Sequence, residues 1–334
     1  MKIKQLHIEN YKSLVNIEIN EPNPFTVFVG PNGSGKSNIF EALEFLNYLN
    51  NSIEATSVIN NFGGLNSVAS KIPKLDDRIK IGVDFNDTTA IYIIDYSGKP
   101  FGGFPGSKGI TTTNNFSRIL LDENFKEQFH EGFSRLFINN VKVLKTLTVS
   151  DHKLNIDASN LENVLKRILD NNNFKEEIIE WLQIFIPEFE RIEVHTSTLS
   201  GNSELAIFEK KIKQPLTKNL ISDGTYNILA LITALFQSDK PQFLCIEEPE
   251  NGLNPFVVKK LVGLFREACE TKGHYIWINT HSQTLVNQLK PEELILVNKK
   301  DGATTVKQLK GTNLHGLEMD EAWLTNALGG GVPW

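Results

Sequence analysis

The chain has 334 residues and a mass of 37.6 kDa, with 34 Lys plus Arg against 40 Asp plus Glu, a formal charge of −6. Its 40% hydrophobic and 22% charged residues are enough for a packed core and exclude a disordered chain, and the length suits two domains or one elaborated domain. A pI near 5.7 argues against a protein that coats nucleic acid non-specifically. Cys245 and Cys269 lie far apart and outside any CxxC spacing, so neither a disulfide framework nor a zinc cage is expected, and free thiols suit a reducing cytosol. The opening residues lack a signal-like apolar stretch. The longest apolar run, Ile228–Phe236 broken by Thr233, is about half the ~20 residues that cross a bilayer. A soluble cytoplasmic protein with no membrane partner is expected.

In chain order, Ile3, Leu6 and Ile8, then Val15, Ile17 and Ile19, alternate as two strands. Phe25–Val29 is the short apolar, β-rich run of a strand buried in a parallel sheet. A glycine-rich turn follows, then a helix through Ile39, Leu43 and Leu46. Residues 79–85 and 90–94 read as two further strands, and the glycines and prolines of 97–125 read as loop. Leu161, Val164, Leu165, Ile168 and Leu169 recur at helical spacing, as do Ile178, Ile179, Leu182, Phe185 and Ile186, so a helical hairpin turning at Asn171–Asn173 is expected. From 220 onward the reading is helix 224–237, strand 242–247, helix 255–270, strand 275–279, helix 282–289 and strand 294–297, the alternation of a parallel sheet with covering helices. Residues 317–324 read as a last helix whose Trp323, like Trp334, packs on the body or on a partner. The divisions are 1–96, a first lobe; 97–214, an insert or lid; and 215–334, a second lobe.

Four stretches carry chemistry. Gly30-Pro31-Asn32-Gly33-Ser34-Gly35-Lys36-Ser37 matches G-x-x-x-x-G-K-S in full, between a strand and a helix. Glycines let the backbone wrap phosphate, successive N–H groups and the helix N-terminus face the anion, Lys36 reaches the β- and γ-phosphates, and Ser37 offers its hydroxyl to Mg²⁺. Asn32, Gly33, Ser34, Gly35, Lys36, Ser37 and Asn38 are the expected nucleotide contacts, Lys36 also serving catalysis. Phe243–Ile246 ends in Glu247 and Glu248, the first to hold Mg²⁺ and the second to orient the attacking water. Because neighbours on a strand face opposite ways, the strand must end near Glu247 for both acids to reach one site, and Pro249 offers a stop. His281 follows a third apolar strand and is placed to sense the γ-phosphate. Ser222-Asp223-Gly224-Thr225 precedes an apolar helix; Ser222 can cap that helix, and the same turn can hold an anion.

In this order the motifs resemble the ABC-type ATPase heads of the SMC, RecF and OLD proteins, and most of all the short bacterial AAA-domain ATPases of that group, many of them found in phage-defence and abortive-infection operons. The resemblance covers about residues 1–95 and 215–300, including Ile8-Glu9-Asn10-Tyr11-Lys12-Ser13-Leu14 before the P-loop. It implies an α/β P-loop NTPase of the ABC-ATPase head type, with a mixed or parallel central sheet, an N-terminal antiparallel β-subdomain and a helical insert. It further implies ATP and Mg²⁺ as cofactors, Lys12 near the nucleotide, and a homodimer with two ATPs in its interface. In that dimer Ser222 and Gly224 of one chain face the γ-phosphate held by Lys36 of the other, and Asn251–Pro255 is the loop crossing the interface. Glu248 is then the catalytic glutamate and His281 the switch histidine.

The departures are a Ser-Asp-Gly-Thr signature, Glu247 where transporters have Asp, and no identifiable Q-loop glutamine, with Asn60–Gly64 standing where that loop belongs. The stretch after Val297 is short for the Toprim nuclease domain that follows in OLD proteins. The expected role is an ATP-driven switch acting on a separate effector, a nuclease or a toxin, in phage defence. The alternative is a RecF-like DNA-binding clamp in repair, to which Lys210, Lys211, Lys213 and Lys218 would contribute a basic patch.

Overall fold

The computed structural model describes residues 2–51, 55–72, 77–85, 88–95, 110–113, 116–120, 129–138, 152–170, 172–196 and 203–331. Its centre is a six-stranded sheet ordered β15-β14-β3-β13-β12-β8, with β3 at Phe25–Val29, β8 at Phe133–Leu136, β12 at Phe243–Glu247, β13 at Tyr275–Thr280, β14 at Leu294–Lys300 and β15 at Ala303–Gln308. Five of these strands run parallel, and only β15 returns antiparallel. β3, β12 and β13 are buried at every position, as expected of strands covered on both faces.

The alternation of side chains divides the core in two. Phe28, Phe243, Cys245, Tyr275 and Trp277 face helix α1 (Lys36–Asn51) and the N-terminal strands. Val27, Leu244, Ile246, Ile276 and Ile278 face helices α6 (Asp223–Phe236) and α7 (Pro255–Lys272). On the first side, a second sheet runs β2-β1-β4-β5-β7-β6, built from Ile3–Tyr11 (β1), Leu14–Asn20 (β2), Arg78–Phe85 (β4), Thr88–Asp95 (β5), Ile110–Thr113 (β6) and Phe116–Leu120 (β7), all antiparallel. Helices α2 (Ala55–Asn61) and α3 (Leu65–Val68) lie beside it. On the second side, α4 (Leu161–Asp170) and α5 (Asn172–Phe185) bury Leu161, Val164, Leu165, Ile168, Ile178 and Leu182 against α6, and a small sheet β11-β10-β9 follows (Leu216–Thr217, Ser203–Glu209, Phe189–Thr196).

Two readings of the sequence need correction. The stretch taken as loop holds β6 and β7, whose β-branched and apolar residues add a hairpin to the N-terminal sheet; residues 97–109 and 121–125 lie outside the described residues. The helix read over 282–289 is shorter, α8 at Gln283–Val286, because the Gln288 and Leu289 N–H groups bond back three residues to Leu285 and Val286, and Lys290 is then extended before Pro291. The last helix, α9 (Met319–Leu324), buries Trp323 on the body and its indole N–H donates to the Gly331 carbonyl at 2.6 Å, whereas Trp334 and Asn171 lie outside the described residues.

Two packing features set the geometry of the sheet edge. Trp277 is fully buried between Phe28 and Phe243, ring centroids 5.3 and 4.9 Å away, and so locks β13 to both of its neighbours. The N-terminus of α6 meets the loop after β12: a Cβ on Gly224 would stand 2.5 Å from the Gly252 carbonyl oxygen, and Asn227 Nδ2 donates to the carbonyls of Pro249 and Asn251 at 3.0 and 2.7 Å.

Trp277→Ala should cost about 3–5 kcal/mol in chemical denaturation. Trp277→Phe should cost far less, because it keeps most of the ring and removes an indole N–H that has no hydrogen-bond partner among the described residues. Gly224→Ala should lower stability by roughly 1–3 kcal/mol, since a backbone carbonyl has to give way; an unchanged denaturation midpoint would show that the two segments are not wedged together.

Candidate functional site

The G-x-x-x-x-G-K-S segment turns from the carboxyl end of β3 into α1, a helix with no acidic residue in its first turn to compete for its N-terminal N–H groups. Gly35 has φ +106°, and a Cβ there would meet Thr304 Oγ1 at 2.1 Å. That contact comes from a buttress behind the loop. Asn38 Nδ2 donates to Ser13 Oγ (2.8 Å), Ser13 Oγ lies 2.7 Å from Thr304 Oγ1, and Thr304 Oγ1 donates to the Ser34 carbonyl (2.7 Å). With the Thr304 proton committed to Ser34, the Ser13 hydroxyl must donate to Thr304, so the relay has one direction. Lys36 Nζ folds onto the carbonyls of Gly30 and Pro31 at 2.7 and 3.1 Å. Burial pushes its pKa down to about 8, against the opposing charges of Glu248 and Glu247.

Glu247 closes β12 on the α1 side of the sheet, buried to 3% exposure. Its Oε2 accepts from Ser37 Oγ at 2.5 Å, and its Oε1 accepts from Nε (2.7 Å) and Nη2 of Arg135. Arg135 Nη1 in turn donates to Glu44 Oε2 on α1 at 2.7 Å. Burial raises the Glu44 pKa while Arg135 opposes the rise.

The strand stops where the two acids require. Glu248 takes φ +48°, a left-handed conformation rare outside glycine, with its N–H on the Asn279 carbonyl at 2.8 Å. This twist, in addition to Pro249, turns Glu248 out of the strand. Its Oε1 lies 3.8 Å from His281 Nε2, and its Oε2 accepts from Asn251 Nδ2 at 2.9 Å. His281 is set by Glu250, whose Oε1 accepts from the His281 backbone N–H (3.2 Å) and from Thr280 Oγ1 (2.5 Å). Burial and the charge of Lys36 hold the imidazole below its ordinary pKa, which favours the neutral ring at neutral pH.

The structure thus gathers Lys36, Ser37, Glu247, Glu248 and His281 at the carboxyl edge of β3, β12 and β13, where α/β sheets place ligands. Asn32 and Gly33 stand exposed at the loop tip and Ser34 is buried in it. Lys12, in a left-handed turn after β1, pairs with Glu41 of α1, which also accepts from Tyr11 Oη at 3.1 Å. Ser222 and Gly224 are not drawn to this cluster. Ser222 caps α6 by accepting from the Thr225 N–H at 3.1 Å, and among the described residues no hydrogen bond joins it to the 30–37 loop. Asn60–Gly64 ends α2, with Phe62 packed on Phe45 and Tyr48, and offers no glutamine.

Buried polar atoms without a partner among the described residues collect at this edge: Ser34 Oγ, both amide atoms of Asn279, which pairs in register with Glu247, and Glu250 Oε2. Buried orphans of this kind, with phosphate-wrapping backbone, a lysine and a Ser–carboxylate pair, fit a nucleoside triphosphate with a divalent ion. Residues not singled out from sequence are Arg135, Glu41, Glu44, Glu250, Thr280, Asn279 and Thr304. Arg135 left one signal, a cation inside the short apolar segment Phe133–Leu136.

Among the described residues no helix is long and apolar enough to cross a membrane. Residues 25–287 match the family described as AAA domain, putative AbiEii toxin, Type IV TA system. An ATP/GTP phosphatase of Helicobacter pylori is 21% identical over 91% of this chain and 91% of its own length. A short stretch, 14% of this chain and 4% of the relative, is 41% identical to the chromosome partition protein Smc of Methanococcus voltae. Among solved structures, an Smc head bound to the C-winged helix domain of ScpA aligns with a TM-score of 0.60 at 17% identity, covering 92% of this chain and 98% of that one. An Smc head with an extended coiled coil, bound to the C-terminal domain of ScpA derived from Pyrococcus furiosus, aligns with a TM-score of 0.58 at 14% identity and 98% of both chains. The shared architecture is a P-loop ATPase head: a mixed central sheet with an antiparallel β-subdomain. The chain therefore belongs to the AAA-domain family that residues 25–287 match, and it has the fold of the Smc heads.

Proposed function

We propose that this ATPase is a nucleotide switch: two copies close head to head over two ATPs, and hydrolysis reopens them to control a separate effector in phage defence. The observation that carries the reading is a continuous path within one chain. Glu248 bonds to Asn251, the 249–251 backbone is held by Asn227 of α6, and Gly252 packs on Gly224 beside Ser222. The hydrolytic acid and the signature turn are thereby one mechanical unit, while the hydrogen bonds of Ser222 among the described residues stay within its own turn. Leu220 and Phe256, 65% and 60% exposed, flank that turn and the loop before α7, which supports a second copy as what the turn meets.

The roles follow from the geometry. Lys36 leaves the Gly30 and Pro31 carbonyls for the β- and γ-phosphates, joined by the N–H groups of Gly33 to Asn38. Mg²⁺ would be held by Ser37 and Glu247 and would supply neutralising charge on the phosphate oxygens. Glu248 orients the attacking water and takes its proton; His281, as a neutral ring 3.8 Å from Glu248, hydrogen-bonds the γ-phosphate and reports its presence. Lys12 would exchange Glu41 for the nucleotide. Dimer closure requires ATP to favour the closed form over the open one.

The family's description as a putative AbiEii toxin of a type IV toxin–antitoxin system supports the defence setting. Both cysteines are free, which supports action in the reducing cytoplasm. The DNA clamp draws less support. Lys218 is paired with Glu162 and Lys210 is bound to the Pro187 carbonyl, which leaves a thin basic patch on a chain of charge −6.

Lys36→Ala should weaken ATP binding by roughly 10–100-fold in titration calorimetry, the scale of one charged hydrogen-bonding group; retained affinity would remove the P-loop assignment. Glu248→Gln should lower kcat by about 10²–10⁴-fold and accumulate an ATP-dependent dimer by light scattering. A variant that binds ATP and stays monomeric would contradict the switch.

A further inference from the structure

We infer that Arg135 is a positioning residue for hydrolysis: it fixes the orientation of the Glu247 carboxyl group, with Oε2 turned to Ser37, and so prepares the magnesium side of the site. The inference rests on the reading of Glu247 as the magnesium-side acid.

The geometry leaves Glu247 little choice. Arg135 comes from β8, the strand beside β12, in register with Cys245 two positions before Glu247 and on the same sheet face. Its side chain is only 10% exposed, and its fork reaches two carboxylates on two elements. Nε and Nη2 hold Glu247 Oε1, and Nη1 holds Glu44 Oε2 on α1. Glu247 Oε2 is thereby the oxygen left for Ser37, at 2.5 Å. A planar guanidinium can serve both acids at once, whereas an ammonium is a point charge that cannot fork. Without it, the buried Glu247 carboxyl on β12 and the partly buried Glu44 carboxyl on α1 would lie near each other with no guanidinium between them.

The same cation continues a line of charge along α1. Glu41 and Glu44 stand three positions apart, which places them on neighbouring turns of one face. Glu41 holds Lys12 and Tyr11, and Glu44 holds Arg135. The turn after β1, the P-loop helix, β8 and the end of β12 therefore meet through alternating charges, with Glu247 as the last member.

The test compares Arg135→Met, Arg135→Lys, Glu44→Gln and Glu247→Gln in the full chain. Metal loading is read by Mn²⁺ electron paramagnetic resonance with ATP present, nucleotide binding by calorimetry in EDTA, and turnover against Mg²⁺ concentration. Groups that orient a metal's ligands typically change metal affinity or activity 10–100-fold. Arg135→Met should therefore need at least about 10-fold more Mn²⁺ or Mg²⁺ for half-saturation and lose about 10-fold in kcat, while binding ATP normally in EDTA. Arg135→Lys should recover only part of the loss, and Glu44→Gln should show a weaker defect in the same direction.

Arg135→Met with unchanged metal half-saturation and kcat, even with a lowered melting temperature, would overturn the proposal and leave Arg135 a structural residue. If Arg135→Met does not fold, Arg135→Lys and Glu44→Gln decide by the same metal titration, and unchanged values in both overturn it. Should Glu247→Gln itself keep full metal dependence, the reading of Glu247 fails instead, so the two failures are told apart.

Discussion

Glu247 is the point at which three elements meet: its own strand β12, the P-loop helix through Ser37, and β8 through Arg135. A carboxylate buried to this depth is costly unless each oxygen has a charged or hydrogen-bonding partner. Each oxygen does, and the partners come from opposite sides, so the acid cannot be satisfied unless β8, β12 and α1 are all in register. The parallel order β3-β13-β12-β8 supplies that register, and Trp277 wedged between Phe28 and Phe243 keeps the three inner strands from sliding.

The second constraint is backbone. Glu248 departs from the strand in a left-handed conformation that few side chains adopt, and such strain is retained where the surroundings over-determine it. Here the surroundings are the Asn279 carbonyl, Asn251 and the helix α6 behind it. Because Gly224 packs on the Gly252 carbonyl with no room for a side chain of its own, a shift at Glu248 has a direct mechanical route to the turn that carries Ser222. In the proposed switch, this packing would link a hydrolysis event to the opening of a partner contact.

Much of this was legible in the sequence because the relevant features are local. The P-loop spacing, the apolar runs before Glu247 and before Asn279-Thr280-His281, and the helical spacing of Leu161–Leu169 are local features, and each stands where it was read. What was not legible depends on pairs distant in the chain. Arg135 reaches Glu247 only once β8 joins the sheet, and Thr304 supports Ser34 across almost the whole length of the protein. The roles of Glu41 and Glu44 could not be read from the sequence, since nothing in α1 itself announces Lys12 and Arg135. The hairpin β6–β7 was missed because neighbouring glycines and prolines outweighed a short run of threonines and apolar residues.

The central claim is that the signature turn of one subunit completes the ATP site of another. It is tested most directly by an interchain cross-link between Ser222→Cys on one subunit and Asn32→Cys on its partner, in a background where Glu248→Gln prevents turnover. The account expects a cross-linked dimer that forms with ATP, disappears without it, and appears between differently tagged chains. ATP bound at full affinity with no interchain product, or a product formed only within single chains, would contradict it.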